Sequence, residues 1–180
     1  MPYAITHVIA VVIILELFRD YFIKNKRTFP LHYILIGGIA GVLPDLDIAV
    51  FYVLSFYGFK LNEIHRIFSH NLFVPLIFLI LGFLVYIFKI KSKKLGEHHL
   101  KLRNVLFVIA FGVFMHLVLD FLIAGEIMPF YPFSTYSTGL SIVDYFPGLW
   151  RSTILPVLEA AVFIIWLISL EVRHKISSFI

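Results

Sequence analysis

The chain has 180 residues, of which 61% are hydrophobic and only 14% are charged, and its mean hydropathy is +0.96. A soluble domain of this size cannot hide so much apolar surface in its core, which excludes an ordinary soluble protein. The net charge of +4 comes from short cationic runs between apolar stretches, which is typical of membrane-flanking residues and not of a nucleic-acid-binding surface.

Five apolar stretches follow one another along the chain, and each is close to the roughly 20 residues that a helix needs to cross a membrane. They cover residues 2–23, 31–57, 71–90, 104–124 and 151–170. The first has no preceding cationic run and no small-residue cleavage site after it, so we interpret it as a retained helix. The sequence therefore predicts one integral membrane domain over residues 1–180, an all-α, multi-pass transmembrane bundle of about five helices.

The second stretch contains a predicted break. Gly37, Gly38 and Gly41 permit close packing of helices. Pro44 then removes a backbone donor just before Asp45. Irregular backbone at membrane depth is tolerated where it is buried in protein or lines a wet cavity. We therefore expect this helix to be broken at Pro44 and to form part of a cavity wall.

Basic residues between the stretches predict the topology. Three cationic clusters fall on one side if the chain crosses five times, and the positive-inside rule makes that side the cytoplasm. The N-terminus is then outside and the C-terminus cytoplasmic. The clusters are Lys24, Lys26 and Arg27; Lys89, Lys91, Lys93, Lys94, Lys101 and Arg103; and Arg173 and Lys175.

Titratable residues within or beside the apolar stretches are costly, so a cluster of them indicates a functional site. In the predicted topology, four separate segments carry them to the outer level of the membrane, about 18–25 Å above the inner face for those within the second and fourth stretches. The seven candidates are His7, Asp45, Asp47, His65, His70, His116 and Asp120.

Metal binding is the interpretation that unites these seven residues. His116 and Asp120 lie four residues apart on one helix face, and both can bind one ion. The sequence has no cysteine, so imidazole and carboxylate must supply the ligands, which favours zinc and also suits manganese, iron or nickel.

Structural roles are the alternative for each residue taken singly. A lone intramembrane histidine is often a hydrogen-bonded packing residue, Asp45 or Asp47 can cap the following half-helix, and Asp120 can pair with Arg66. If Ser69 is the N-cap of the third helix, His70 lies in its first turn and points inward. Glu159 in the fifth stretch has no assigned role.

The order of these residues resembles the YdjM family of membrane-bound metal-dependent hydrolases. The matching motifs, between about residues 7 and 134, are His7, Pro44-Asp45-Leu46-Asp47, His65-Arg66-Ile67-Phe68-Ser69-His70, His116-Leu-Val-Leu-Asp120 and Pro129-Phe-Tyr-Pro132-Phe-Ser134. The resemblance implies a small helical membrane protein with a His/Asp metal centre. The ligand order is also distantly similar to zinc-dependent phospholipase C, but no second histidine–glutamate pair follows Asp120, so we expect one or two ions.

We therefore expect a hydrolase in which metal-activated water attacks an ester or phosphoester of a lipid or lipid-linked substrate near the outer face. Asp45 is a ligand or general base, and Arg66 is a candidate phosphate clamp or, alternatively, an ion-pair partner of Asp45. Aromatic residues between Pro129 and Trp150 form either a substrate lid or an interfacial belt. The alternative function is metal transport or sensing without hydrolysis.

Overall fold

A computed structural model describes residues 4–60, 68–88, 100–123 and 125–174. Within these ranges the chain is all-α, as predicted, and each of the five apolar stretches contains at least one helix. The second stretch is divided between two helices, so the described residues contain six: α1 (Ala4–Phe22), α2 (Leu31–Ala40), α3 (Asp47–Ser55), α4 (Phe73–Ile87), α5 (Leu102–Ile123) and α6 (Gly148–His174).

The break in the second stretch lies where Pro44 predicts it. Helix α2 ends at Ala40, a 3₁₀ turn covers Leu43–Leu46, and α3 begins at Asp47. The two α-helical parts are bent by 47°. Pro44 is buried in the turn, and because it has no N–H it cannot continue the α-helical hydrogen-bond ladder. The bend carries Asp45 away from a regular helical path.

Two of the described helical segments are long and apolar enough to cross a membrane, namely Leu102–Ile123 and Thr153–Arg173. The bent pair of α2 and α3 is a third candidate if it forms a single span, and α4 is a shorter apolar helix. Helix α1 carries Glu16, Arg19 and Asp20 in its last turns. The five crossings and their orientation therefore remain predictions.

Glycines bring α2 and α5 into direct backbone contact. A Cβ atom added at Gly112 would lie 2.5 Å from the Gly37 carbonyl oxygen and 3.0 Å from the Gly41 nitrogen. Below this crossing, Val11 and Leu15 of α1 pack with residues of α2 and α5 in a buried apolar core. The glycines thus set the distance between α2, which leads into the break, and α5, which carries His116.

The bundle has two chemically different ends. At one end, which we call the cationic end, Asp20 contacts Lys26 at 2.8 Å and Arg173 at 3.5 Å, so the end of α6 lies beside the end of α1. At the opposite end lie the start of α1, the 3₁₀ turn, the turn before α4 and the second half of α5. We call this the histidine end because it carries His7, His70 and His116.

Replacement of Gly112 by alanine is expected to force α5 away from α2, because the new methyl group meets backbone atoms that cannot rotate aside. Overpacking of this kind typically costs about 1–3 kcal/mol. We expect a lower thermal unfolding midpoint for Gly112→Ala in detergent, measured by circular dichroism. Gly148→Ala is the matched control because nothing lies within 4 Å of a Cβ there. An unchanged midpoint for Gly112→Ala would contradict the close crossing.

Candidate metal centre

Five of the seven candidate residues meet at the histidine end. They come from the start of α1, the 3₁₀ turn, the turn before α4 and one face of α5. Their side chains are almost fully buried, with exposed fractions of 0–1%, except for the one in the 3₁₀ turn, at 17%. The five are His7, Asp45, His70, His116 and Asp120. The predicted residues His65 and Arg66 lie outside the described residues.

Two imidazole nitrogens in this cluster each lie beside the same two carboxylates. The Nε2 atoms of His70 and His116 are 3.1 Å apart. Asp45 Oδ1 is 3.6 Å from each of them, and Asp120 Oδ2 is 3.4 Å from His70 Nε2 and 3.7 Å from His116 Nε2. Tetrahedral zinc with bonds of about 2.0–2.2 Å separates its ligand atoms by roughly 3.3–3.6 Å. The distances between the two imidazole nitrogens and the carboxylate oxygens beside them are therefore close to those between ligands of one ion.

Hydrogen bonds on the other ring nitrogens fix which atoms face the centre. His116 Nδ1 is 2.8 Å from the Gly41 carbonyl oxygen, and because that oxygen can only accept, the nitrogen must donate. His70 Nδ1 is 2.9 Å from Ser69 Oγ, whose own hydroxyl donates to Asp47 Oδ2 at 2.6 Å. The Ser69 oxygen therefore accepts from His70.

In the neutral rings both Nε2 atoms consequently carry lone pairs, and they face each other beside two carboxylates in a site from which water is largely excluded. Two facing acceptors at hydrogen-bonding distance repel unless a proton or a cation lies between them. A divalent cation satisfies both imidazoles and both carboxylates at once, so the residues present fit a bound metal ion.

Asp47 lies behind His70. Its Oδ2 atom is 3.4 Å from His70 Nδ1, whereas Asp45 Oδ1 is 3.6 Å from the opposite nitrogen. The two aspartates of the turn therefore contact the two sides of one imidazole. A carboxylate on the outer nitrogen of a metal-binding histidine orients the ring and increases its basicity, so this position of Asp47 suits a positioning residue.

His7 forms the outer part of the cluster. Its ring stacks on His116 with centroids 3.9 Å apart, and its Nε2 atom is 3.6 Å from Asp120 Oδ1. That oxygen is not the one that faces His70, so Asp120 presents one oxygen to each side. His7 Nδ1 is buried and has no hydrogen-bond partner among the described residues. The geometry accommodates either His7 as a further ligand or a second ion bridged by Asp120.

The turn before α4 differs from the prediction. Asn71, not Ser69, provides the cap, because its Oδ1 atom accepts hydrogen bonds from the backbone nitrogens of Phe73 at 3.0 Å and Val74 at 3.3 Å. His70 therefore lies in the turn that precedes the helix. The Ser69 hydroxyl is used instead by the cluster, since it donates to Asp47.

The segment after α5 supports this turn from outside. Leu72 N donates to the Pro129 carbonyl oxygen at 3.0 Å, and the Phe68 ring meets the Tyr131 ring edge to face. Further along, Phe133 and Tyr145 are more than 80% exposed. This aromatic exposure is compatible with both predicted roles of the segment, the interfacial belt and the substrate lid.

Sequence reasoning missed two contributors to this end of the bundle. The Gly41 carbonyl orients His116, but the sequence marks Gly41 only as a small packing residue. Glu159 of α6, which had no assigned role, accepts a hydrogen bond from the Thr6 hydroxyl at 2.9 Å. This contact joins α6 to α1 one residue before His7.

Comparison with known proteins identifies a family. A family model described as YdjM inner membrane protein matches residues 1–176. The match extends beyond the motifs between residues 7 and 134 and includes all of α6. No curated protein and no solved structure matched the chain.

Metal content should depend on Asp120. We expect near-stoichiometric zinc, or another divalent ion, in protein purified in detergent and measured by elemental analysis, and loss of most of it in Asp120→Asn, because this carboxylate faces both His70 and His7. Asp144→Asn is the control, since that carboxylate is 66% exposed. Wild-type protein that takes up no ion on reconstitution would contradict the site.

Asp47 should affect the affinity for metal more than the amount bound at saturation. Loss of the partner that orients a ligating histidine typically weakens metal binding by about 10–100-fold. We expect Asp47→Ala to weaken zinc binding in a chelator competition by that range and to keep the wild-type stoichiometry at saturation. A loss of stoichiometry equal to that of Asp120→Asn would instead make Asp47 a ligand.

Proposed function

This chain belongs to the YdjM family of inner membrane proteins, and we propose that it is a membrane-bound metal-dependent hydrolase of lipid or lipid-linked esters. The observation that carries the proposal is the pair of facing Nε2 atoms of His70 and His116, 3.1 Å apart and flanked by two carboxylates. An ion at this point, most simply zinc, neutralises the cluster.

His70, His116 and Asp120 are the proposed ligands, which leaves one position of a tetrahedral ion for water, and His7 is a further ligand or part of a second site. A divalent ion held by them would supply Lewis-acid chemistry and would make bound water acidic enough to serve as the nucleophile toward an ester or phosphoester. The hydrogen bonds from Nδ1 of each ring keep both Nε2 atoms directed at the ion. The chain's own contribution is thus orientation and the exclusion of bulk water.

Asp45 is the proposed general base. Its side chain is 17% exposed, whereas those of His70, His116 and Asp120 are at most 1% exposed, so the cluster opens on the side of Asp45. A carboxylate at the opening can contact the ion and also accept a proton from an incoming water. Its place in the 3₁₀ turn, and not in a regular helix, brings it to this opening.

A lipid substrate is proposed from the position of the centre. In the topology predicted from the cationic clusters, the histidine end lies at the outer face of the cell membrane, where lipid head groups and exposed aromatic side chains meet. The ester or phosphoester of a membrane lipid then reaches the cluster from its own leaflet. Arg66, the proposed phosphate clamp, lies outside the described residues.

Metal transport is the rival function, and the core below the cluster argues against it. An ion pathway needs polar groups along its length. Instead, Val11, Leu15, Ile34 and Val108 fill the centre of the bundle between the histidine end and the cationic end. A closed apolar core beneath a metal cluster supports chemistry at one membrane surface more than passage across it.

The function is tested with zinc-loaded protein and phosphatidic acid or phosphatidylglycerol in mixed micelles, with measurement of the phosphate or alcohol released. We expect turnover that is abolished by a chelator and restored by zinc. Asp45→Asn should lower turnover by roughly 100-fold or more, the usual effect of losing a general base. Asp144→Asn is again the control. Metal-loaded protein that hydrolyses neither lipid, but carries zinc into proteoliposomes, would favour the rival function.

A further inference from the structure

A cavity lies between α1 and α5, toward the cationic end. It has a volume of about 440 Å³, within the range of small-molecule binding sites. Its wall is almost entirely hydrocarbon and aromatic, with one amide side chain at its edge. Lining residues include Ile14, Phe18, Phe29, Asn104, Phe107 and Phe111. We call it the α1–α5 pocket.

Two arginines are hydrogen-bonded to residues that line this pocket. Arg19 Nε donates to the Phe29 carbonyl oxygen at 3.0 Å. Arg103 Nε donates to Asn104 Oδ1 at 3.2 Å, and the same guanidinium group lies 5.2 Å from the centre of the Tyr86 ring of α4. Phe29 and Asn104 both line the pocket, so each arginine is attached to a residue of its wall. Each of these bonds uses one of the five N–H donors of a guanidinium group, which matches phosphate in a fork geometry.

The surrounding charge is also positive. Within the described residues, the cationic end carries more basic than acidic side chains, and Asp20 is shared by Arg19, Lys26 and Arg173. The basic residues are Arg19, Lys24, Lys26, Arg27, Lys101, Arg103 and Arg173, and the acidic ones are Glu16, Asp20 and Glu171. A ligand at this end is therefore expected to be anionic.

We propose that the α1–α5 pocket is a binding site for an anionic phospholipid of the adjacent leaflet. The acyl chain occupies the apolar pocket, and the phosphate lies between the guanidinium groups of Arg19 and Arg103. Apolar walls explain why a lipid is preferred to a free anion, and the two arginines explain why an anionic head group is preferred to a zwitterionic one. Basic pockets between transmembrane helices are a general means of binding such head groups.

The bound lipid would hold α1 against α5. These two helices also carry His7 and His116 at the opposite end of the bundle, where the rings stack at 3.9 Å. Occupation of the pocket therefore stabilises the same helix pair from the cationic end. Because the pocket and the metal centre lie at opposite ends, this proposal does not depend on hydrolase activity.

The experiment measures lipid binding by native mass spectrometry and the thermal unfolding midpoint of the full chain in detergent. Dioleoyl phosphatidylglycerol, dioleoyl phosphatidylcholine and inorganic phosphate are compared as probes. We expect only phosphatidylglycerol to bind at near one-to-one stoichiometry and to raise the midpoint. Equal effects of phosphatidylcholine, or the same stabilisation by inorganic phosphate alone, would overturn the proposal.

Two variants separate the head-group and acyl-chain contacts. Arg103→Gln should weaken phosphatidylglycerol binding roughly five- to tenfold, the effect expected for one basic residue near a head group. Ile14→Trp fills the pocket without a change of charge and should weaken binding at least as much. Lys24→Gln removes one charge from the same end and is the control. Each variant's midpoint without lipid verifies its fold, and wild-type affinity in both test variants would refute the site.

Discussion

Two imidazole nitrogens that face each other in a buried site are the constraint on which the histidine end depends. His70 and His116 each donate through Nδ1, to Ser69 and to the Gly41 carbonyl, and this leaves two acceptors 3.1 Å apart. Asp45 and Asp120 add negative charge around the same point. In a low-dielectric interior such an arrangement is costly without a cation. The same groups are of the types that would bind a divalent cation at this point.

The fold produces this arrangement through its irregular parts. Gly37, Gly41 and Gly112 let α2 approach α5 closely enough for the Gly41 carbonyl to reach His116. The bend that follows directs Asp45 to one side of His70 and Asp47 to the other. Regular helices could not do this, because residues two apart on a helix point in different directions. Close packing and a proline break therefore together form one wall of the site.

Much of the fold and of the cluster could be predicted from the sequence, because the sequence patterns that indicate them are local or statistical. Apolar length predicts the helices, Pro44 predicts the break, and the cost of burying charge marks the histidines and aspartates. The hydrogen bonds around the rings could not be predicted, because they depend on which backbone atoms the tertiary packing brings near. Gly41 acts through a carbonyl group that every residue has, and the choice between Ser69 and Asn71 as cap depends on where Asp47 lies. Which aspartates lie beside the facing nitrogens and which lies behind His70 could not be predicted for the same reason.

The centre also organises elements that have little other support. Helix α3 contains no buried residue among its nine positions, and His70 lies in a turn, not in a helix. The start of α1, the 3₁₀ turn before α3, the turn before α4 and α5 each contribute a side chain to the cluster. A ligand set drawn from such distant segments does not exist in the unfolded chain, so binding of a metal ion there would contribute directly to folding. The contacts that would support hydrolysis are therefore also the contacts that hold the histidine end of the bundle together.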